Sequence, residues 1–157
     1  MNKLSIGDQA PDFTVAVGEN ETITLSELKG KYVIIYFYPK DDTPGCTLEA
    51  KDFNLLKNEF ESLNVEIIGI SKDSLASHAK FCSKYGLAFH LGADLDGAIC
   101  EKYGTWVEKS MFGKKYMGIN RATFLIDMNR NIAFIWPNVS AKNHANDVLL
   151  KLKELKK

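Results

Sequence analysis

The sequence predicts a three-layer α/β fold built on a central mixed sheet. Residues 32–38 are a continuous run of apolar, β-branched and aromatic residues, the composition of a strand that is buried on both faces, and residues 65–70 are predicted to be the next strand. The segment between them carries apolar residues at helical spacing, so these three elements form a parallel βαβ unit. Residues 122–127 and 132–136 flank a short polar turn, which is typical of an antiparallel hairpin. A parallel core with an antiparallel end makes a mixed sheet covered by helices.

The elements of the first half follow from turn residues and hydrophobic periodicity. Residues 13–21 indicate a short N-terminal hairpin, and residues 24–30 are typical of one or two helical turns that stop at a glycine. Pro39 ends the first buried strand. A helix is predicted over residues 44–62 because its apolar positions recur at helical spacing. Those positions are Ala50, Phe53, Leu56 and Phe60.

The second half alternates in the same way. A helix begins at Asp73 or Ser74, residue types that cap helix N-termini, and ends at Tyr85 before Gly86. Residues 105–120, which contain several glycines and lysines, are predicted to form a loop. The other elements are a strand at 65–70, a short strand near 89–91, a helix at 98–103, the hairpin at 122–136 and a helix at 143–156.

Length and composition fit one globular domain. The chain has 157 residues, of which 45% are hydrophobic and 25% charged, so disordered and collagen-like structures are excluded. The order of elements predicts a thioredoxin-like fold in a single domain over residues 1–157.

Charge and hydropathy narrow the classes of partner. Lys and Arg number 20, as do Asp and Glu, so the chain lacks the basic excess that nucleic acid or an anionic membrane surface would attract. No apolar run approaches the ~20 residues of a membrane span, and the N-terminus is polar within a few residues. We therefore expect a cytoplasmic protein that binds neither nucleic acid nor membrane.

The segment with the clearest chemistry places a cysteine at the start of a helix. Cys46 follows a buried strand and a polar loop, and lies in the first turn of the predicted helix. Unpaired amides and the helix dipole stabilise a thiolate at such a position. Gly45 can present the backbone amide of the cysteine to a ligand, and Thr43 adds a hydroxyl three residues away. The alternative is an inert cysteine at an ordinary helix start.

Arg121 is the second candidate for this site. It begins a strand directly after a glycine-containing segment, at a strand end, where α/β folds build sites. Its cation would stabilise a nearby thiolate and its planar fork can bind oxygens, although a surface charge is the simpler interpretation.

The remaining cysteines and histidines offer weaker alternatives. The three cysteines are too few and odd in number for a disulfide framework, and none forms a Cys-x-x-Cys pair. The histidines do not lie in a recognisable catalytic pattern, and His78 is expected to be a hydrogen-bonded residue at the edge of the core. His78 and Cys82 lie one helical turn apart, as two metal ligands can, but two further ligands are not apparent. Cys100 is predicted to be a core residue.

Several motifs resemble the peroxiredoxins. The pattern Pro39-x-x-x-Thr43-x-x-Cys46 is similar to the active-site motif of that family, and residues 41–50 resemble its bacterioferritin comigratory protein (Bcp), or peroxiredoxin Q (PrxQ), branch. The resemblance covers nearly the whole chain. The other matching segments are residues 10–13, 25–31, 103–106 and 114–127.

This resemblance implies a peroxiredoxin-type thioredoxin fold and a thiol-dependent peroxidase acting on hydrogen peroxide and organic hydroperoxides. It implies that Cys46 attacks the peroxide and becomes a sulfenic acid, that Thr43 and Arg121 bind the peroxide oxygens, and that Pro39 shields the thiolate from water. It further implies no metal, haem or flavin cofactor, thioredoxin or a related dithiol protein as reductant, and a monomer.

The chain departs from the family at position 51. Many members carry a resolving cysteine five residues after the peroxidatic one, where this chain has Lys51. Other members of the branch place it on the next helix, which makes Cys82 the candidate here, although Cys82 also lies on an apolar helical stripe and could be a core residue. The alternatives are a one-cysteine peroxidase with an external resolving thiol, and a non-catalytic redox-sensing or holdase module.

Overall fold

The computed structural model describes residues 3–157 and contains nine strands and five α-helices within that range. Among these residues, no helix is both long and apolar enough to cross a membrane. The strands are β1 Thr14–Gly18, β2 Glu21–Thr24, β3 Tyr32–Phe37, β4 Val65–Ser71, β5 His90–Ala93, β6 Trp106–Met111, β7 Lys114–Ile119, β8 Ala122–Ile126 and β9 Ile132–Trp136. The helices are α1 Pro44–Leu55, α2 Lys57–Ser62, α3 Leu75–Tyr85, α4 Ala98–Lys102 and α5 His144–Leu155.

Seven strands form one mixed sheet, as the sequence predicts. Its order is β2-β1-β5-β4-β3-β8-β9. β3, β4 and β5 are parallel to one another, whereas β8 and β9 pair antiparallel beside β3, and the N-terminal hairpin β1–β2 pairs antiparallel beside β5. The parallel centre and the antiparallel ends are thus both present.

Strand β3 separates two hydrophobic cores. Ile34 and Tyr36 point into a core made with helices α1, α2, α3 and α5, whereas Ile35 and Phe37 point into a core made with α4 and the N-terminal segment. Successive side chains of a strand point to opposite faces, so a strand between two apolar layers is apolar at every position. This arrangement explains the continuous apolar run in the sequence and gives the fold its three layers.

Two predicted elements differ from the structure. The helix predicted over residues 44–62 is interrupted at Leu56, whose φ of −96° and ψ of 3° separate α1 from α2. A one-residue break leaves the apolar spacing almost unchanged, so periodicity could not detect it. The predicted turns at residues 24–30 shorten to a 3₁₀ turn over Leu25–Glu27.

The largest difference lies at residues 105–120, which were expected to be a loop. They form the antiparallel hairpin β6–β7, which pairs only with itself. Phe112 and Gly113 make its two-residue turn with φ values of 53° and 79°, the positive values of a type I′ turn. Most of its side chains are exposed, so the strands carry no apolar alternation by which they could be recognised.

The helix caps agree with the sequence. The Ser74 side chain accepts a hydrogen bond from the Ser77 amide at 3.1 Å, which identifies Ser74 rather than Asp73 as the N-cap of α3. Gly86 ends this helix in the left-handed conformation, with φ of 64°.

Replacing Phe53 tests the core on the α1 side. Its ring is 0% exposed and stacks on Tyr36 with 4.8 Å between ring centroids. We expect Phe53→Ala to lower the free energy of unfolding by about 3–5 kcal/mol in a urea titration, because it removes a fully buried aromatic ring and leaves a cavity. Leu55→Ala is the matched control, since Leu55 lies on the same helix and is 82% exposed. A comparable loss in both variants would contradict this account of the core.

Candidate active site

Cys46 lies in the first turn of α1 and is 1% exposed. Pro44 occupies the start of the helix, where its missing N–H costs no hydrogen bond, and Thr43 is the N-cap residue. The amides of the first turn have no intrahelical acceptor and form the positive end of the helix dipole. Cys46 therefore lies in the first turn of a helix, as the sequence predicts.

Arg121 reaches the sulfur from the junction between β7 and β8. Its Nη2 donates a hydrogen bond to Cys46 Sγ at 3.3 Å, and its Nη1 donates to Glu49 Oε1 at 2.7 Å. The guanidinium thus bridges the cysteine and a carboxylate one turn farther along α1. The two residues that were predicted separately, Cys46 and Arg121, are in direct contact.

Gly45 makes room for this contact. A Cβ atom at this position would lie 3.1 Å from Arg121 Nη2, closer than ordinary van der Waals contact. Because glycine has no side chain, the guanidinium can approach the backbone of the first turn beside the sulfur.

Glu49 was not predicted as a site residue. Its side chain is 0% exposed, and its Oε2 has no hydrogen-bond partner within residues 3–157. Burial raises the pKa of Glu49 to about 7, while the charge of Arg121 acts in the opposite direction. A carboxyl group that titrates near neutral pH therefore holds the arginine that contacts the thiol.

Lys109 on β6 is a second cation at the site that sequence reasoning missed. Its side chain is half-buried and passes Gly118, where a Cβ would lie 3.3 Å from Lys109 Cδ. Burial, followed by the charge of Arg121, lowers the pKa of Lys109, whereas the charge at Cys46 raises it. The hairpin that was expected to be a loop thus carries a cation whose pKa responds to Arg121 and Cys46.

The other two predicted site residues border the cysteine on the loop before α1. Thr43 Oγ1 donates a hydrogen bond to the carbonyl of Lys40 at 2.8 Å, which leaves its lone pairs as acceptors. Pro39 follows β3 and is exposed. The roles that the resemblance implies for both residues stay predictions.

Cys82 lies on the last turns of α3, half-buried against the core on the α1 side. Burial, followed by the charge of Asp41, raises the pKa of the Cys82 thiol. The Tyr36 hydroxyl has no hydrogen-bond partner in the described part of the chain. Burial raises its pKa, and the charges at Cys46 and Cys82 raise it further. All three cysteines are free thiols, and Cys100 is 0% exposed in the core on the α4 side, as predicted.

His78 is buried and fully hydrogen-bonded, as the sequence predicts. Its Nδ1 lies 2.7 Å from Asp41 Oδ2 and its Nε2 lies 3.0 Å from the carbonyl oxygen of Gly92. Among residues 3–157, Asp41, Asp73 and His78 form a group whose potential metal-ligating atoms lie within 4.8 Å of one another, but Cys82 does not belong to it. The group thus differs from the His78–Cys82 pair, a pair of metal ligands that the sequence allows but does not favour.

A cysteine at a helix start with an arginine on its sulfur is an arrangement typical of thiol-based oxidoreductases on a thioredoxin-like fold. Comparison with known proteins agrees. Residues 6–135 match the model of the AhpC/TSA family. The chain is 48% identical over 149 residues to a putative peroxiredoxin Bcp of Coxiella burnetii, covering 95% of this chain and 99% of the relative. It is 44% identical over 152 residues to peroxiredoxin Bcp of Bacillus subtilis, covering 97% of each.

Solved structures give the same result. A cysteine-to-serine mutant of PrxQ from Xylella fastidiosa superposes with a TM-score of 0.94 at 36% identity over 100% of both chains. The bacterioferritin comigratory protein of Xanthomonas campestris, whose structures address its alkyl peroxide reduction activity, gives 0.92 at 39% identity over 100% of this chain and 99% of that one. The chain belongs to the AhpC/TSA family, within the Bcp/PrxQ peroxiredoxins, and is a thiol-dependent peroxidase.

Glu49→Gln tests the buried carboxyl group through the pH dependence of stability. The pKa of Glu49 rises from 4.5 to about 7 on folding, so its contribution to stability is present below pH 4.5 and is lost as the pH rises through 7. We expect wild type to lose more unfolding free energy between pH 5 and pH 7.5 than Glu49→Gln does, in urea titrations at both pH values. Equal losses in the two proteins would show that Glu49 does not titrate in this range.

Proposed function

We propose that Cys46 is the peroxidatic residue of this enzyme and that Arg121 and Thr43 bind its peroxide substrate. The observation that carries the proposal is the 3.3 Å hydrogen bond from Arg121 Nη2 to Cys46 Sγ. A guanidinium fixed on the sulfur stabilises the thiolate and keeps part of its planar fork beside the position where the peroxide must enter.

The first step forms a bond between Cys46 sulfur and one peroxide oxygen and breaks the O–O bond. The second oxygen leaves with the electron pair, takes a proton and departs as water or alcohol, and Cys46 becomes a sulfenic acid. The cation of Arg121 and the first-turn amides stabilise the charge that develops on the leaving oxygen. The Thr43 hydroxyl, which donates to a carbonyl, accepts a hydrogen bond from the O–H of the attacked oxygen, and this hydrogen stays on that oxygen in the sulfenic acid. Pro39 limits access of water.

Hydrogen peroxide and organic hydroperoxides are the proposed substrates. The alkyl peroxide reduction activity named for the Xanthomonas campestris relative supports the second class. Cys82 is the proposed resolving residue, and thioredoxin or a related dithiol protein is the proposed reductant that returns both cysteines to thiols. The similarity to the Bcp/PrxQ branch supports a single-domain monomer that works in the cytoplasm and uses no metal, haem or flavin.

Arg121→Lys tests whether the site needs the planar guanidinium group of Arg121 or only its positive charge. Lysine keeps the cation but cannot contact Cys46 and Glu49 together, so we expect a loss of about 10²- to 10³-fold in the rate of Cys46 oxidation. Stopped-flow oxidation with hydrogen peroxide measures this rate, and circular dichroism checks that the fold is kept. A lysine variant with wild-type rate would show that the fork is not needed.

Peptide mapping tests the two cysteine roles. After one equivalent of peroxide, non-reducing digestion and mass analysis should find Cys46 joined to Cys82 in wild type and in the control Cys100→Ala. Cys46→Ser should lose peroxidase activity, and Cys82→Ser should stop at the Cys46 sulfenic acid. A stable sulfenic acid in wild type with Cys82 free would instead favour the one-cysteine peroxidase, and a Cys46–Cys100 link would contradict the assignment.

A further inference from the structure

Helix α3 is fixed at its beginning by a buried, hydrogen-bonded Asp–His pair. Asp41, in the loop before α1, pairs with His78 at 2.7 Å, and the two side chains are only 3–4% exposed. The Tyr38 hydroxyl donates to the other oxygen of this carboxylate at 2.6 Å. Since the carbonyl of Gly92 can only accept, the second ring nitrogen of His78 donates to it at 3.0 Å. Every polar side-chain atom of Asp41 and His78 thus has a hydrogen-bond partner, and His78 lies one helical turn before Cys82.

The end of α3 is held differently, by the next residue of the same loop. Asp42 Oδ2 accepts a hydrogen bond from Lys84 Nζ at 2.8 Å, and Asp42 Oδ1 accepts one from the Tyr85 hydroxyl at 2.6 Å. The side chains of Asp42 and Lys84 are 42% and 59% exposed. These contacts to the last turn, which follows Cys82, are open to water and to salt.

The two consecutive carboxylates therefore hold α3 on opposite sides of Cys82 and with unequal strength. Breaking the hydrogen bonds of a buried pair leaves polar groups unsatisfied, which is more costly than breaking exposed contacts, which water replaces. The turn after Cys82 thus separates from the loop more readily than the turn before it.

A third attachment limits how far that turn can move. Asn54 on α1 donates from Nδ2 to the carbonyl of Gly86 at 3.0 Å and accepts from the Ala88 amide at 2.8 Å. The chain is therefore anchored at His78 and again just beyond the helix. An opening released at Asp42 is confined to the turn that contains Cys82.

We infer that Asp42 is a positioning residue for the resolving step, and that its bonds to Lys84 and Tyr85 set how often the last turn of α3 opens to release Cys82. This inference rests on the proposed function, in which Cys82 resolves the sulfenic acid. The opening occurs around the Asp41–His78 pair, which stays closed.

The chemical step explains why release of Cys82 matters. The Cys82 sulfur attacks the sulfenic sulfur of Cys46, so an S–S bond forms, the S–O bond breaks, and the oxygen leaves as water with the Cys82 proton and its own. In its place on α3, Cys82 is half-buried, and burial followed by the charge of Asp41 raises its pKa. Movement away from this position gives the thiol access to water and separates it from that charge, so the thiolate forms more readily.

Two variants weaken the Asp42 contacts without disturbing the packing: asparagine has one acceptor oxygen for two donors and no charge, and phenylalanine has no hydroxyl to donate. Asp42 has a φ of 58°, a conformation that asparagine tolerates at least as well, so Asp42→Asn keeps the backbone and removes the charge. Tyr85→Phe removes the hydroxyl and keeps the ring, which packs on Phe81 at 5.5 Å between centroids. The matched control is Glu59→Gln, which breaks an exposed ion pair of the same kind between Glu59 and Lys153.

The resolving rate is measured by mixing each reduced protein with one equivalent of hydrogen peroxide, quenching with acid, and following the sulfenic and disulfide masses over time. We expect Asp42→Asn and Tyr85→Phe to form the Cys46–Cys82 disulfide about two- to tenfold faster than wild type, the factor that a lost surface hydrogen bond supplies. The rate of sulfenic acid formation should not change. With excess peroxide, both variants should accumulate less Cys46 sulfinic acid, because a shorter-lived sulfenic acid meets a second peroxide less often.

Hydrogen exchange provides a readout that does not depend on the chemistry. In both variants the amides of Cys82–Tyr85 should exchange faster, while those around His78 keep the wild-type rate. Disulfide formation at the wild-type rate or slower in both variants, or the same acceleration in Glu59→Gln, would overturn the inference even though Cys82 resolves. A wild-type protein that forms no Cys46–Cys82 disulfide would overturn the proposed function, and this inference with it.

Discussion

The site depends on one charged side chain that serves two partners. Arg121 donates to Cys46 with one nitrogen and to Glu49 with the other, so the geometry at the sulfur is tied to a carboxyl group inside the core. Burial favours the neutral form of Glu49, whereas the charge of Arg121 favours the ionised form, and the resulting pKa is about 7. Any change in one of the three groups alters the other two.

The fold supplies this arrangement through strand and helix ends. The end of β3 leads into the loop that begins α1, and the beginning of β8, which pairs antiparallel with β3, carries Arg121 to the same edge of the sheet. The same loop provides Asp41, whose buried pairing with His78 connects it to α3. The helices that carry Cys46 and Cys82 are therefore both contacted by a single loop, and their relation to each other depends on its conformation.

The sequence predicted the elements that are buried and missed those that are not. β3 has an apolar or aromatic residue at every position because it lies between two cores, whereas β6 and β7 are mostly exposed and show no such pattern. Cys46 and Arg121 could be identified because each lies at the end of an element. Glu49 could not, because a carboxylate on a helix usually faces water and its partner lies 72 positions away. Lys109 was missed with its strand.

The β6–β7 hairpin is fixed to the rest of the protein at its base and exposed at its tip. At the base, the Asn120 amide donates to the carbonyl of Thr105 at 2.7 Å and Ile119 is 4% exposed, so the residue before Arg121 is fixed. At the tip, Phe112 is 99% exposed, and the strands pair with no other part of the sheet. Residue pairs can be added at the tip without moving the base, because the register from Trp106↔Ile119 to Lys109↔Tyr116 is unchanged and Lys109 keeps its face. The tip of the hairpin is thus a place where relatives can differ in length, or where a peptide can be inserted, without a change in the residues at its base.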